Sequence, residues 1–191
     1  MQTLTDLPED LPQPQDDGAC DHLKNVKLSS INLATTDGLQ VDFSAIIGRL
    51  VIYLYPMTGR PDTALPDGWD EIPGARGCTP QSCSFRDHHW ELKALNTTVY
   101  GLSTQTTEYQ QEAANRLHLP FPLVSDEYLE FIKSVDIPTI DVDGMILSKR
   151  VTLIVTNGII EKVFYPVFPP NENARQVIAY LIANKASQVN Q

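Results

Sequence analysis

The segment LVIYLYP, residues 50–56, decides the fold class of this 191-residue chain. An apolar run of this length, rich in residues with high β-propensity and ended by proline, is typical of a strand buried on both faces. Such strands lie at the centre of sheets that helices cover on both sides. The elements on either side of this segment therefore decide which fold the chain adopts.

Helices and strands alternate after this strand, as expected in an α/β domain. Apolar residues at helical spacing predict a helix over residues 80–95, with Thr79 as its N-cap and Pro80 at its first position. A strand is predicted at residues 97–104. Thr107 and Gln110 fit a capping box, which predicts a second helix with Thr107 as its N-cap.

The C-terminal part predicts three strands and a last helix. PLVSD, residues 122–126, is a short strand, and VTLIVTNGIIEKVFY contains two β-rich runs around Asn157–Gly158, a strong hairpin signal. Asn171 is predicted to cap the last helix. The side chains that this helix should bury are Val177, Ile178, Leu181 and Ile182. The order predicts an α/β fold with a mixed central sheet flanked by helices, which is compatible with a thioredoxin-like architecture.

Two segments depart from this regular pattern. Residues 1–27 are rich in acids and prolines and are predicted to form an extended arm, leaving residues 28–191 as a single domain. Within that domain, residues 57–77 contain four glycines and three prolines, so we predict a long loop without regular structure.

The charge of the chain excludes some classes of partner. Its 14 basic and 24 acidic residues give a formal charge of −10, which opposes binding to nucleic acids and to anionic membranes. The N-terminus has acids and prolines where a signal peptide has basic and apolar residues. We therefore expect a soluble, cytoplasmic protein that binds neither nucleic acid nor membranes.

The sequence GARGCTPQSCSFRD, residues 74–87, holds two of the three cysteines. Cys78 just precedes the predicted helix, where free N–H groups and the helix dipole stabilise a thiolate. Arg76 and Arg86 either add positive potential or are solvent-facing charges. Cys83 lies about 7.5 Å further along the helix axis and on another face, so a disulfide requires the first turn to unwind. Alternatively, Cys83 is a small buried apolar residue.

The segment GCTPQSCSFRD resembles the active-site segment of the peroxiredoxin Q (bacterioferritin comigratory protein) group. That group carries GCT, a second cysteine five residues after the first, and then an FRD-like sequence. LVIYLYP, VYGLST, LPFPLVSD and KRVTLIVTNGIIEKVFYPV also occur in the order of that family's strands. The resemblance covers about residues 28–183 and implies a thioredoxin-like (peroxiredoxin) fold.

The resemblance also implies a thiol-dependent peroxidase that reduces hydrogen peroxide or organic hydroperoxides. Cys78 would be the peroxidatic thiolate, Cys83 the resolving cysteine of an intramolecular disulfide, and Arg150 the arginine that stabilises thiolate and peroxide. Thioredoxin or a similar dithiol reductant would recycle the disulfide. No cofactor and no metal are implied, and the protein is expected to be a monomer or a homodimer.

The sequence departs from the family pattern just before Cys78. Ala75 occupies the position of the family's threonine, and about fifteen residues are inserted between the strand and the cysteine. Thr58 and Thr79 are candidates to replace the missing hydroxyl. We hypothesise that the inserted loop covers the thiol pocket with Trp69 as its anchor. The alternative is a surface elaboration that packs Trp69 on the body of the domain.

The cysteines also allow other interpretations. A zinc site would use ligands from the set Cys20, His22, Cys78, Cys83, His88 and His89, but there is no CxxC and adjacent histidines point in different directions on a helix. Cys20 is either inert or an additional resolving thiol. A thioredoxin-fold redox sensor or binding protein with little peroxidase turnover is the alternative function, and the missing threonine favours it.

Overall fold

The computed structural model describes residues 7–8 and 10–188 of the chain. The strands are β1 (Leu33–Thr35), β2 (Gln40–Val41), β3 (Arg49–Leu54), β4 (Thr97–Ser103), β5 (Leu123–Ser125), β6 (Thr139–Val142), β7 (Met145–Ser148), β8 (Val151–Thr156) and β9 (Ile159–Phe164). The helices are α1 (Cys78–Asp87), α2 (His89–Ala94), α3 (Thr107–Arg116), α4 (Glu130–Ser134) and α5 (Asn173–Gln188). None of these described helices is both long and apolar enough to cross a bilayer.

Seven of the strands form one mixed sheet in the order β2-β1-β5-β4-β3-β8-β9. The pairs β3–β4 and β4–β5 are parallel, whereas β8 pairs antiparallel with both β3 and β9. Strand β3, from the segment quoted first, lies near the centre, and five of its six residues are buried. The mixed sheet and the hairpin at Asn157–Gly158 are confirmed.

The alternation of side chains along β3 supplies both halves of the core. Leu50, Ile52 and Leu54 face one side of the sheet and pack in one apolar cluster. Val51 and Tyr53 face the other side, in a cluster with residues of α1, α2, α3 and α5. Helix α1 is thereby pressed against the centre of the sheet, and this contact fixes the position of its first turn.

The helix predicted over residues 80–95 is in fact two helices that meet at His88. The backbone of His88 leaves the helical region, with φ −101° and ψ 10°, and its ring Nδ1 lies 2.8 Å from the Ser84 carbonyl oxygen. The predicted N-cap at Thr79 is also wrong. Gly77 holds that position with φ +105°, so the helix begins at Cys78, and Pro80 is its third residue.

Two other predicted helix starts shift by one or two residues. The cap of α3 is Thr106, whose Oγ1 accepts from the Tyr109 amide at 3.2 Å, and not Thr107. Helix α5 begins at Asn173, because a 3-10 turn that includes Asn171 precedes it. Its buried face includes Val177, Ile178 and Leu181, but Ile182 is 57% exposed, contrary to the prediction.

The two irregular segments both pack against the domain. The loop 57–77 contains a 3-10 turn at Trp69–Glu71, contrary to the expected absence of regular structure. Trp69 lies in a third apolar cluster with Met57, Ala75 and two residues of the β6–β7 hairpin. The arm is held by Asp17, whose carboxylate lies 2.8 Å from the Lys149 ammonium and accepts from the Tyr165 hydroxyl at 2.8 Å.

Candidate active site

Cys78 is the first residue of α1 and is almost fully buried. Gly77, with its positive φ, makes the sharp entry into the helix. A Cβ at that position would lie 2.3 Å from Cγ of Pro170, so only glycine fits there. The sulfur therefore sits at the positive end of the helix dipole, where a negative charge is stabilised.

Arg150, between β7 and β8, brings a guanidinium to this sulfur. Its Nη2 lies 3.3 Å from Sγ of Cys78. The same nitrogen donates to the carbonyl oxygens of Gly74, Ala75 and Arg76 at 3.1, 3.1 and 3.2 Å. The loop backbone thus fixes the guanidinium against the thiol.

Gln81 and Asn173 hold the other side of Arg150, and sequence reasoning missed both. Nη1 of Arg150 donates a short hydrogen bond to Oε1 of Gln81, whose Nε2 donates to Oδ1 of Asn173 at 2.9 Å. Thr152 donates to the same oxygen at 2.7 Å. Gln81, Thr152 and Asn173 are fully buried. Gln81 could have been found from its position almost one helical turn after Cys78, because residues at this spacing are neighbours on the helix surface.

At the position of the family's threonine, the backbone carbonyl of Ala75 lies beside the sulfur. Cys78 Sγ lies 3.5 Å from the carbonyl oxygen of Ala75, to which the thiol donates. Thr58 is fully buried, and its hydroxyl lies 3.5 Å from Oε1 of Gln105. Thr79 is buried and lines the same cavity as Cys78. Of the two hydroxyl candidates, Thr79 is among the residues that line this cavity.

The inserted loop encloses the thiol. The cavity beside Cys78 measures about 10 Å³, close to the smallest volume that holds one water molecule. Its walls include Gly59, Leu65 and Trp69 of the loop. Arg76 also lines it and is paired with Asp70 at 3.0 Å. The loop therefore lies beside the Cys78 thiol, as the hypothesis of a cover over the thiol pocket predicts.

Cys83 lies on the same helix and is only half-buried. Burial raises the pKa of its thiol, and the neighbouring Arg86 guanidinium partly offsets this. Both Cys78 and Cys83 are free thiols in the structure, five positions apart in an intact helix. Their sulfurs cannot bond until the intervening residues leave the helix.

Cys20 lies apart from this pair, within the main apolar cluster. Burial, together with the charges of Asp17 and Asp16, raises the pKa of its thiol to about 12. His22, from the same segment, contacts the Val135 carbonyl oxygen at 3.0 Å. Across the residues that the structure describes, no three His, Cys, Asp or Glu side chains are grouped so as to hold a metal ion.

Comparison with known proteins places this geometry in context. A family model described as Redoxin matches residues 18–178. The chain is 29% identical over 150 residues to a chloroplastic peroxiredoxin Q of Sedum lineare, covering 78% of this chain and 72% of that protein. Against the peroxiredoxin Q of Oryza sativa subsp. japonica it is 28% identical over 153 residues, covering 80% and 63%.

Solved structures share the fold. Peroxidoxin BcpB of Mycobacterium tuberculosis aligns with a TM-score of 0.68 at 22% identity, covering 84% of this chain and 96% of that one. A bacterioferritin comigratory protein of Xanthomonas campestris, studied for its alkyl peroxide reduction activity, aligns with a TM-score of 0.66 at 21% identity, covering 92% of this chain and 99% of that one. The thioredoxin-like fold predicted from the sequence is therefore confirmed.

Proposed function

This chain belongs to the Redoxin family, in a group like peroxiredoxin Q and bacterioferritin comigratory protein, and we propose that it reduces peroxides through Cys78 and Cys83. The observation that carries this proposal is the 3.3 Å contact between Nη2 of Arg150 and Sγ of Cys78, the first residue of α1; both residues are buried. A cation held beside a thiol at a helix N-terminus is the environment that activates a nucleophilic sulfur.

In the first step the Cys78 thiolate attacks one oxygen of hydrogen peroxide or of an organic hydroperoxide. The S–O bond forms as the O–O bond breaks, and the departing oxygen takes a proton and leaves as water or alcohol. Arg150 stabilises the charge as it moves from sulfur to oxygen, since its Nη2 already faces the sulfur. Cys78 is left as a sulfenic acid.

In the second step the Cys83 thiol condenses with this sulfenic acid. A disulfide forms, water is released, and the sulfur of Cys78 is kept from the irreversible steps of oxidation. The helix α1 must open over residues 78–83 for this step, because the intact helix separates the two sulfurs.

Two electrons from a dithiol protein, thioredoxin or a similar reductant, then restore both thiols. We place this cycle in the cytoplasm, as three free cysteines suit a reducing compartment. The protein acts as a monomer or a homodimer in this proposal.

The test compares reduced wild-type protein with Cys78→Ser and Cys83→Ser, each mixed with one equivalent of hydrogen peroxide and followed by intact mass. Wild type should rapidly lose two hydrogens, Cys83→Ser should gain one oxygen, and Cys78→Ser should not react rapidly. Slow oxidation that does not depend on Cys78 would overturn the proposal.

A redox sensor with little turnover is the second candidate, favoured by the small volume of the cavity beside Cys78 and by the alanine at position 75. Multiple turnovers with a dithiol in excess distinguish the two functions. The peroxidase consumes many equivalents of peroxide per protein, whereas a sensor stops after one equivalent.

A further inference from the structure

The residues between the two cysteines are held by hydrogen bonds that the peroxide chemistry does not use. Ser82 is fully buried, and its Oγ accepts from the hydroxyl of Tyr53 at 3.2 Å. Tyr53 lies on β3 under the helix, and its ring stacks on Phe85 with centroids 4.5 Å apart. Tyr53 therefore contacts α1 at Ser82 and at Phe85, which precede and follow Cys83 in the sequence.

The sheet is built to accommodate this tyrosine hydroxyl. Gly101 of β4 lies beside it, and a Cβ at that position would come within 2.5 Å of both Cζ and the hydroxyl oxygen of Tyr53. The glycine thus leaves the space in which the Tyr53 hydroxyl reaches Ser82. Burial also raises the pKa of Tyr53, so the phenol keeps its proton and remains a donor.

Disulfide formation must break this contact, because Ser82 lies inside the segment 78–83 that leaves the helix. Gln81 is anchored in the same segment, but its partner is Arg150, so replacing it would also disturb the thiol. The Tyr53–Ser82 hydrogen bond includes neither Cys78 nor Arg150. It is therefore the contact whose loss affects helix opening separately from the reaction with peroxide.

We propose that Ser82 and Tyr53 are positioning residues that set the rate of disulfide formation by holding α1 closed after Cys78 has been oxidised. This inference rests on the proposed peroxidase cycle. The longer the helix stays closed, the longer the sulfenic acid is exposed to a second peroxide molecule, which oxidises it to sulfinic acid and is itself reduced to water or alcohol. The Tyr53–Ser82 hydrogen bond thus favours overoxidation at high peroxide concentration.

The test uses Ser82→Ala and Tyr53→Phe, which remove one hydroxyl each; Tyr53→Phe also keeps the aromatic ring. One net hydrogen bond changes an opening equilibrium about fivefold. Ser84→Ala is the matched control, since Ser84 is a buried serine of the same helix whose hydroxyl has no hydrogen-bond partner among the described residues. A double variant of Ser82 and Tyr53 should add little to either single one.

Two rates are measured after mixing with hydrogen peroxide, by rapid quenching and intact mass. Formation of the sulfenic acid should keep its wild-type rate in all variants. Its conversion to the disulfide should become about fivefold faster in Ser82→Ala and Tyr53→Phe, with about fivefold less sulfinic acid at a given excess of peroxide. Ser84→Ala should match wild type. Conversion rates equal in Ser82→Ala and Ser84→Ala would overturn the inference.

Hydrogen exchange in the reduced protein separates this inference from the proposed function. Backbone amides of α1 should exchange about fivefold faster in Ser82→Ala and Tyr53→Phe than in wild type, whatever the protein's reaction with peroxide. Unchanged exchange would overturn the role of the hydrogen bond even in an active peroxidase. Slow sulfenic acid formation in wild type would instead overturn the peroxidase and leave the exchange result standing.

Discussion

Replacing Arg150 by lysine should slow the reaction of Cys78 with peroxide about 30-fold. Nη2 of the arginine holds four groups at once: the sulfur at 3.3 Å and three loop carbonyl oxygens at 3.1 to 3.2 Å. The lysine side chain ends in a single ammonium on a flexible chain, so it cannot make these contacts in the same fixed geometry. Losing one charge-assisted hydrogen bond to the sulfur costs about 2 kcal/mol, which corresponds to about 30-fold in rate.

The assay is the second-order rate constant for sulfenic acid formation in Cys83→Ser protein, with and without Arg150→Lys. The control is Lys149→Met, because that neighbouring cation is paired with Asp17 and makes no hydrogen bond to the sulfur. It should remain within about twofold of the parent protein. A folded Arg150→Lys variant that reacts as fast as its parent, or a Lys149→Met variant as slow as Arg150→Lys, would refute the reasoning.

Three further predictions concern the elements around the site. Trp69→Ala should lower the free energy of unfolding by about 3 kcal/mol in urea titrations, since the indole is almost fully buried; a loss below about 1 kcal/mol would mean that the loop is not packed. Gly77→Ala should destabilise the protein more than Gly144→Ala, because both have positive φ but only the former meets a neighbour, at 2.3 Å; equal losses in urea would contradict the clash. The ion pair with Lys149 lowers the pKa of Asp17 below its usual 3.8. Its ionised carboxylate therefore stabilises the fold above that pH and loses this effect as the pH falls, so the Tm difference between wild type and Asp17→Asn should shrink below about pH 4; a difference independent of pH would exclude the ion pair.

The central sheet could be predicted because its strands carry their own signals. Residues 50–56 are apolar throughout, and Asn157–Gly158 can hardly be anything but a hairpin turn. The hairpin β6–β7 and the short α4 were missed, since they are brief and partly exposed. Their formation depends on packing against the inserted loop and the sheet, which a periodic pattern does not reveal.

The pairing of Cys78 with Arg150 came from a family resemblance, whereas the closing of the thiol cavity depends on where the inserted loop folds. The start of helix α1 was predicted two residues too late. Thr79, the expected N-cap, is the second residue of the helix, because Gly77 with its positive φ takes the N-cap position. The link from Gln81 to Asn173 joins residues 92 positions apart, and only the folded chain brings them together.

The guanidinium of Arg150 has a further consequence for the redox potential of the cysteine pair. Among the ion pairs of the described residues none includes Arg150, so in the proposed cycle the Cys78 thiolate is the counterion of this buried cation. A disulfide carries no charge and leaves the cation without a counterion. If the lost pairing amounts to about 2 kcal/mol, the two-electron reduction potential rises by about 40 mV. In the proposed cycle, the arginine that activates Cys78 would therefore also make the disulfide easier for a dithiol partner to reduce.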